Sequence, residues 1–124
     1  MHKIISTNNA PKAIGAYSQA ILAGNMLFIS GQLGIYPETN QLAEGIVDET
    51  RQAISNIFNI LKTAEMDKSN LVKITLYISD LEDFSTVNKI YEEMLSPVKP
   101  ARVTIEVNDL PKSASIEIDA IAIK

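Results

Sequence analysis

The sequence contains no cysteine and no tryptophan, and its one histidine is His2. Without cysteine there is no disulfide and no thiolate zinc site, and the redox compartment is left open. A lone histidine beside the first methionine cannot build a Ser-His-Asp triad or a multi-histidine metal centre within one chain. It reads as surface decoration. No apolar run is long enough for a signal peptide or a membrane span, so cytoplasm is the expected setting. Positive charge is scarce too: eleven lysines and arginines stand against fifteen acids, for a net charge of −4. The basic residues are spread along the chain, which makes a nucleic-acid partner unlikely from charge alone. "PETNQLAEG" has no metal-loop spacing, and no internal repeat or low-complexity segment stands out.

What is present fits an ordinary globular protein. Hydrophobic residues make up 46% and charged residues 21% of 124, enough for one domain, residues 1–124, around one core. "AYSQAIL" can extend, and Gly24-Asn25 is a two-residue hairpin signal. "MLFISG" is apolar at consecutive positions, the pattern of a strand covered on both faces. "GIYPETNQL" reads as an exposed turn. From Ile46 to Ala64 apolar residues recur at helical spacing, with Asp48 and Glu49 in the first turn, where the helix dipole favours acids. "NLVKITLYISD" alternates as a strand, with Val72, Ile74, Leu76 and Ile78 on one face. A second amphipathic helix follows in "DLEDFSTVNKIYEEML". Asp80 or Asp83 would cap it, and Phe84, Val87, Tyr91, Met94 and Leu95 form its buried stripe.

After the two prolines of "SPVKP" come strand "RVTIEV", turn "NDLPKSA" and strand "SIEIDAIAIK". The order is β-β-α-β-α-β-β, an α/β (α+β) sandwich with two helices on one face of a mixed sheet. The other face should carry Tyr17, Gln19, Tyr77, Arg102, Thr104, Glu117 and Ile121. That mixture is too apolar for bare solvent, so other copies of the chain are expected to cover it.

Arg102 is the leading candidate for chemistry. Val103, Ile105 and Val107 alternate on one strand face, which leaves Arg102 on the other with Thr104. A guanidinium offers a planar fork that matches a carboxylate. Spacing alone allows a second reading, a cross-strand ion pair with Glu117 on a hairpin partner, worth about 0.2–1 kcal/mol. Tyr17 offers a ring or a hydroxyl, or merely packs. "SGQ" (Ser30, Gly31) offers backbone N–H groups, or simply ends a strand. Asn88 shares the helical sector of Phe84 and Tyr91. The acids Glu44, Asp48, Glu49, Glu92 and Glu93 read as solvated.

Several stretches gain meaning in combination: "APKAIGAYSQAI", "LFISGQLG", "ETRQAISNIFNIL", "LVKITLYISDLEDFSTVNKIYEEM", "PARVTIEV" and "LPKSASIEIDAIA". In this order and spacing they resemble the RidA/YjgF family of reactive intermediate deaminases, along essentially the whole chain. The resemblance implies a chorismate-mutase-like domain in a homotrimeric barrel, with ligand sites in clefts between subunits. It implies hydrolysis of enamines and imines (2-aminoacrylate/2-iminopropanoate, 2-iminobutanoate) to 2-keto acids and ammonia, with no metal or organic cofactor. By motif, Arg102 would clamp the substrate carboxylate and Gly31 would give a backbone N–H to the same end. Tyr17, Ser30 and Asn88 would line the site. Glu117 would position the attacking water, helped by backbone at Thr104, and would be ionised next to Arg102 unless burial opposes it.

Three positions depart from the family pattern. Ala16 stands for its usual proline, Thr104 for a frequent cysteine, and Ser113 for a glycine. Two rival functions remain to be weighed: an RNA-acting endoribonuclease or translation inhibitor, disfavoured by the acidic charge, and a non-catalytic carboxylate-binding or chaperone-like module, which would need Arg102 but not Glu117.

Overall fold

The structure, a computed structural model, describes residues 2–124. Strands β1 (His2–Ile5), β2 (Ala20–Ala23) and β3 (Met26–Leu33) precede the short strands β4 (Ile35–Tyr36) and β5 (Gln41–Leu42). Helix α1 (Gly45–Thr63), strand β6 (Leu71–Ile78), helix α2 (Phe84–Leu95), β7 (Ala101–Glu106) and β8 (Ile116–Ile123) follow. Six strands form one sheet in the order β1-β2-β3-β8-β6-β7, and β4 and β5 pair separately. All neighbours in the large sheet are antiparallel except β6 and β7. The expected α+β architecture is present, with β1 and the β4–β5 ladder added to it. No helix among the described residues is long and apolar enough to cross a membrane.

The core lies between the helices and one face of the sheet. Leu27, Ile57, Ile60, Leu61, Leu76, Ile78, Leu95, Ile116 and Ile118 are each under 2% exposed, and burying a side chain of this size contributes about 1.5–3 kcal/mol. Asn56 of α1 is buried among them. Its amide donates to the carbonyls of Leu33 and Ile35, both at 3.0 Å, and its oxygen accepts from Gln52 at 2.9 Å. The end of β3 is thereby fixed to α1. Asp80 caps a short 3-10 turn, Leu81–Asp83, by accepting from the Glu82 N–H at 2.9 Å, and that turn leads into α2; Asp83 makes no side-chain cap. Within α2, Ile90 joins Val87, Tyr91 and Leu95 in the buried stripe, while Phe84 and Met94 are only partly covered.

The register overturns three placements expected from the pattern. First, β7 is no hairpin partner of β8. It lies at the sheet edge, parallel to β6, with Ile74 beside Arg102 and Leu76 beside Thr104. Ile74 and Leu76 are core residues, so Arg102 and Thr104 belong to the helix-covered face. Val103 and Ile105, both 40% exposed, lie on the open face beside Thr75 and Tyr77. Second, Val72 does not share the face of Ile74. A register shift between Leu71 and Lys73 gives the buried place to Leu71 and leaves Val72 41% exposed. Third, Gln19 precedes β2 and is buried rather than facing outward from the sheet. The "MLFISG" run alternates in the single chain: Leu27 and Ile29 are buried and Phe28 is open. The open face carries one cross-strand apolar row, Ile4, Ile21, Phe28 and Ile121.

Candidate active site

Arg102 is built into the helix side of the sheet. Phe84, Asn88 and Tyr91 recur at i, i+4 and i+7 along α2 and so share the helix face above β7. The guanidinium carbon lies 5.5 Å from the Phe84 ring centroid and 4.9 Å from that of Tyr91. Each such contact contributes about 0.5–1 kcal/mol at an exposed site. Arg102 Nη1 donates to Asn88 Oδ1 at 2.7 Å. Asn88 therefore orients the fork, and among the described residues Arg102 makes no ion pair. Its other donors have no hydrogen-bond partner among the described residues. They border an open cleft of about 700 Å³ whose walls include Tyr91, Leu95, Pro97, Lys99 and Pro100. Tyr91 is 7% exposed, and its buried hydroxyl has no hydrogen-bond partner among the described residues. Burial pushes that phenol up, and the Arg102 charge pulls the other way.

Glu117 occupies a different cleft. In β8 it pairs with Leu33 of β3 and Tyr77 of β6, on the open face of the sheet. The β3–β8 register shifts between Ile29 and Gln32, at Ser30-Gly31. There the Glu117 side chain folds over the backbone of Gly31. A Cβ at that position would lie 2.8 Å from the Glu117 carboxyl carbon, so only glycine leaves room for it. Burial raises the Glu117 pKa, and the nearby Asp119 carboxylate raises it further. Asp119 in turn accepts from the Tyr77 hydroxyl at 2.8 Å.

Tyr17, 54% exposed, shares the Glu117 cleft, a space of about 310 Å³. Two clamps hold its loop. Ser30 Oγ donates to the Ser18 carbonyl at 2.6 Å, and the Ser30 N–H donates to the Gln19 carbonyl at 2.9 Å. Gln19 accepts from the Thr7 N–H at 2.7 Å and donates to the carbonyls of Thr7 and Pro11 at 3.0 and 2.8 Å. Gln19 is a positioning residue that sequence reasoning placed on the wrong surface; nothing in its spacing marks a side chain turned back into its own loop. Glu49, expected to be solvated, is 4% exposed. It accepts from the Ser115 N–H at 2.8 Å, fixing the start of β8 two residues before Glu117.

The expected site residues thus fall into two sets. Arg102, Asn88 and Thr104 lie on the helix side of the sheet, and Tyr17, Gly31 and Glu117 at the cleft on the open side, where Ser30 does not line the cleft but holds the Tyr17 loop. Within one chain Arg102 neither pairs with Glu117 nor lowers its pKa, and Thr104 is on the opposite face from it. The inventory matches an acid/base reaction on a small anion: one free guanidinium fork, and one partly desolvated carboxylate near a tyrosine.

Known proteins resemble the chain along its whole length. Residues 7–124 match the family described as Endoribonuclease L-PSP. A RutC family protein of Pyrococcus horikoshii is 50% identical, covering 100% of this chain and 99% of its own. The 2-iminobutanoate/2-iminopropanoate deaminase of Bos taurus is 47% identical over 100% of this chain and 91% of its own. A crystal structure of TdcF from E. coli with bound serine superposes with a TM-score of 0.94 at 36% identity, covering 98% of each chain.

Proposed function

The chain belongs to the Endoribonuclease L-PSP family, the RidA/YjgF group that its motifs resemble, and from that premise we propose that it hydrolyses 2-imino acids, and the enamines from which they arise, to 2-keto acids and ammonia. The observation that carries this reading is the pair of complementary clefts. One presents a guanidinium fork with free donors. The other presents a half-buried carboxylate beside Tyr17 and Gly31. Full-length similarity to a mammalian imine deaminase supports the same chemistry. The family's ribonuclease description has less support here, because the net charge is −4 and no basic stripe runs along the chain.

Because the two clefts open on opposite faces of one sheet, the reaction calls for two copies of the chain. We place the substrate where Arg102 and Asn88 of one copy meet Tyr17, Gly31 and Glu117 of a second, in a homotrimer. The open face favours such closure: Ile4, Phe28, Val103 and Ile105 are 66%, 42%, 40% and 40% exposed in the single chain. Arg102 holds the substrate carboxylate in bidentate fashion, with the Gly31 N–H at the same end. Glu117 accepts a proton from a water as its oxygen adds to the imine carbon. The tetrahedral carbinolamine then collapses. In the carbinolamine formed from the protonated imine, the nitrogen takes up the proton of the Glu117 carboxylic acid and the C–N bond breaks. The hydroxyl gives its own proton back to the Glu117 carboxylate, and its oxygen becomes the carbonyl of the 2-keto acid. The departing ammonia then takes that proton and frees Glu117 for the next cycle. One imino acid and one water give one keto acid and one ammonia. The substrate is already electrophilic, so orientation and one acid/base group are enough.

The test generates 2-aminoacrylate from serine with a dehydratase and follows pyruvate and ammonia. Wild-type protein should accelerate their release, and Arg102→Ala and Glu117→Gln should each abolish that acceleration. If the site is shared, co-refolding the two variants at equal amounts leaves about a quarter of interfaces with both groups intact, and activity returns to about that level. No acceleration by the wild type sinks the deaminase reading. A mixture as inactive as its parts sinks the shared site.

A further inference from the structure

The Glu117 cleft contains two groups that the hydrolysis does not use. Lys12 reaches it from the loop before β2, and Lys112 from the turn before β8. Neither is in an ion pair among the described residues, where the pairs are Arg51–Glu93 and Lys124–Glu65. Neither contributes to the shift at Glu117, which comes from burial and Asp119. Both lysines are exposed where they line the cleft, so their ammonium groups belong to its mouth rather than to its reacting end.

Lys112 is presented on a costly backbone. Lys112 and Ser113 both have left-handed φ, 58° and 55°, a conformation that disfavours any residue with a Cβ. Pro111 fixes the approach to this turn. On its far side Ala114 is buried, and Ser115 is tied to the Glu49 carboxylate at 2.8 Å. A turn that glycine would make freely is instead made by a lysine beside the candidate acid/base group.

The rest of the molecule works against an anionic substrate, with fifteen acids against eleven bases. A 2-imino acid carries a carboxylate and also hydrolyses unaided, so an enzyme acting on it gains from rapid capture. A positive mouth on a negative protein raises the encounter rate of an anion and discriminates against neutral analogues. We propose that Lys112, with Lys12, forms an electropositive mouth that recruits carboxylate-bearing imines to the Glu117 cleft, making both lysines specificity-determining residues. The proposal rests on the deaminase reading for its substrate.

The test compares wild type, Lys112→Gln, Lys112→Arg and Lys12→Gln/Lys112→Gln at low ionic strength and in 1 M salt. Two unit charges about 8 Å apart in water interact by a factor of about two to three, so removing one lysine charge is expected to lower kcat/KM about two- to threefold at low salt and removing both about fivefold. In 1 M salt, where the Debye length is about 3 Å, all four converge. The loss falls on kcat/KM and not on kcat, and Lys112→Arg recovers the wild-type value. A loss that persists in 1 M salt, falls equally on kcat, or is not recovered by arginine overturns the proposal in favour of turn geometry. Pyruvate titrations of the same variants, followed by NMR, need no turnover. Lys112→Gln should weaken pyruvate binding at low salt and not in 1 M salt. If the wild type turns nothing over, the deaminase reading fails, while unchanged pyruvate affinity in Lys112→Gln at low salt would separately overturn the mouth.

Discussion

Replacing Gly31 with alanine puts a methyl group where the Glu117 side chain now lies. The new Cβ would stand 2.8 Å from the Glu117 carboxyl carbon, 2.9 Å from Oε2 and 3.1 Å from Cγ. Ordinary contact begins near 3.4 Å, so the carboxyl group must retreat by about 0.6 Å. The atoms that give way are the far end of a flexible side chain, and an off-rotamer χ angle costs about 0.5–1.5 kcal/mol. Gly31 is not in the left-handed region, so alanine fits the backbone and gains about 0.4–1 kcal/mol by restricting the unfolded chain. The two effects nearly cancel, and the melting temperature should move by only a few degrees. Catalysis has no such compensation. Misplacing a reacting group by 1 Å costs up to about 100-fold, so kcat/KM for 2-iminopropanoate should fall by about 10- to 100-fold. The dehydratase-coupled assay reads the rate, and a thermal melt reads the fold. Full activity in Gly31→Ala would refute the steric argument, and so would unfolding, because either would mean that the clash is not resolved by Glu117.

Glu117 itself gives a pH-dependent signature. Its pKa is raised in the folded chain by burial and then by Asp119, so its stabilising contribution is complete below the unfolded value and is lost as pH rises through the folded one. Glu117→Gln should therefore melt like wild type in acid and above it at neutral pH; equal melting at both would contradict the burial. Asn56→Ala leaves the carbonyls of Leu33 and Ile35 without their buried donor, and should cost about 2–4 kcal/mol in urea unfolding. A loss below about 1 kcal/mol would show that another donor takes over.

How much of this was legible in the sequence depends on what each signal encodes. Helical periodicity located both helices to within a few residues, because a 3.6-residue repeat sustained over three or more turns rarely arises except in an amphipathic helix. The Gly24-Asn25 hairpin was legible for a similar reason: Gly24 adopts φ 63°, as the turn between β2 and β3 requires. Strand parity is a weaker signal. Alternation tells which residues share a face and not which face the helices cover. Val103 and Ile105 looked like core because they are apolar, yet β7 is an edge strand whose apolar residues face the open side of the sheet. That one inversion misassigned Arg102 and Thr104 together. Val72 failed differently, through a register shift that no spacing announces. β1 and the β4–β5 ladder escaped notice because strands of four and two residues carry too little pattern. The chemical identities of Arg102, Gly31 and Glu117 were available from the motifs; that they occupy two faces of one sheet was not.

The stacking of Arg102 between Phe84 and Tyr91, with Asn88 on its fork, has a thermodynamic consequence for assembly. A free arginine side chain carries about 2 kcal/mol of rotamer entropy, and an interface that had to freeze it would be weaker by much of that amount. Here the freezing belongs to folding: α2 closes over β7 and the guanidinium is already aimed before any second chain arrives. In the proposed assembly an encounter between copies would join two prepared surfaces, and the affinity between them would not be diminished by ordering the group on which recognition depends.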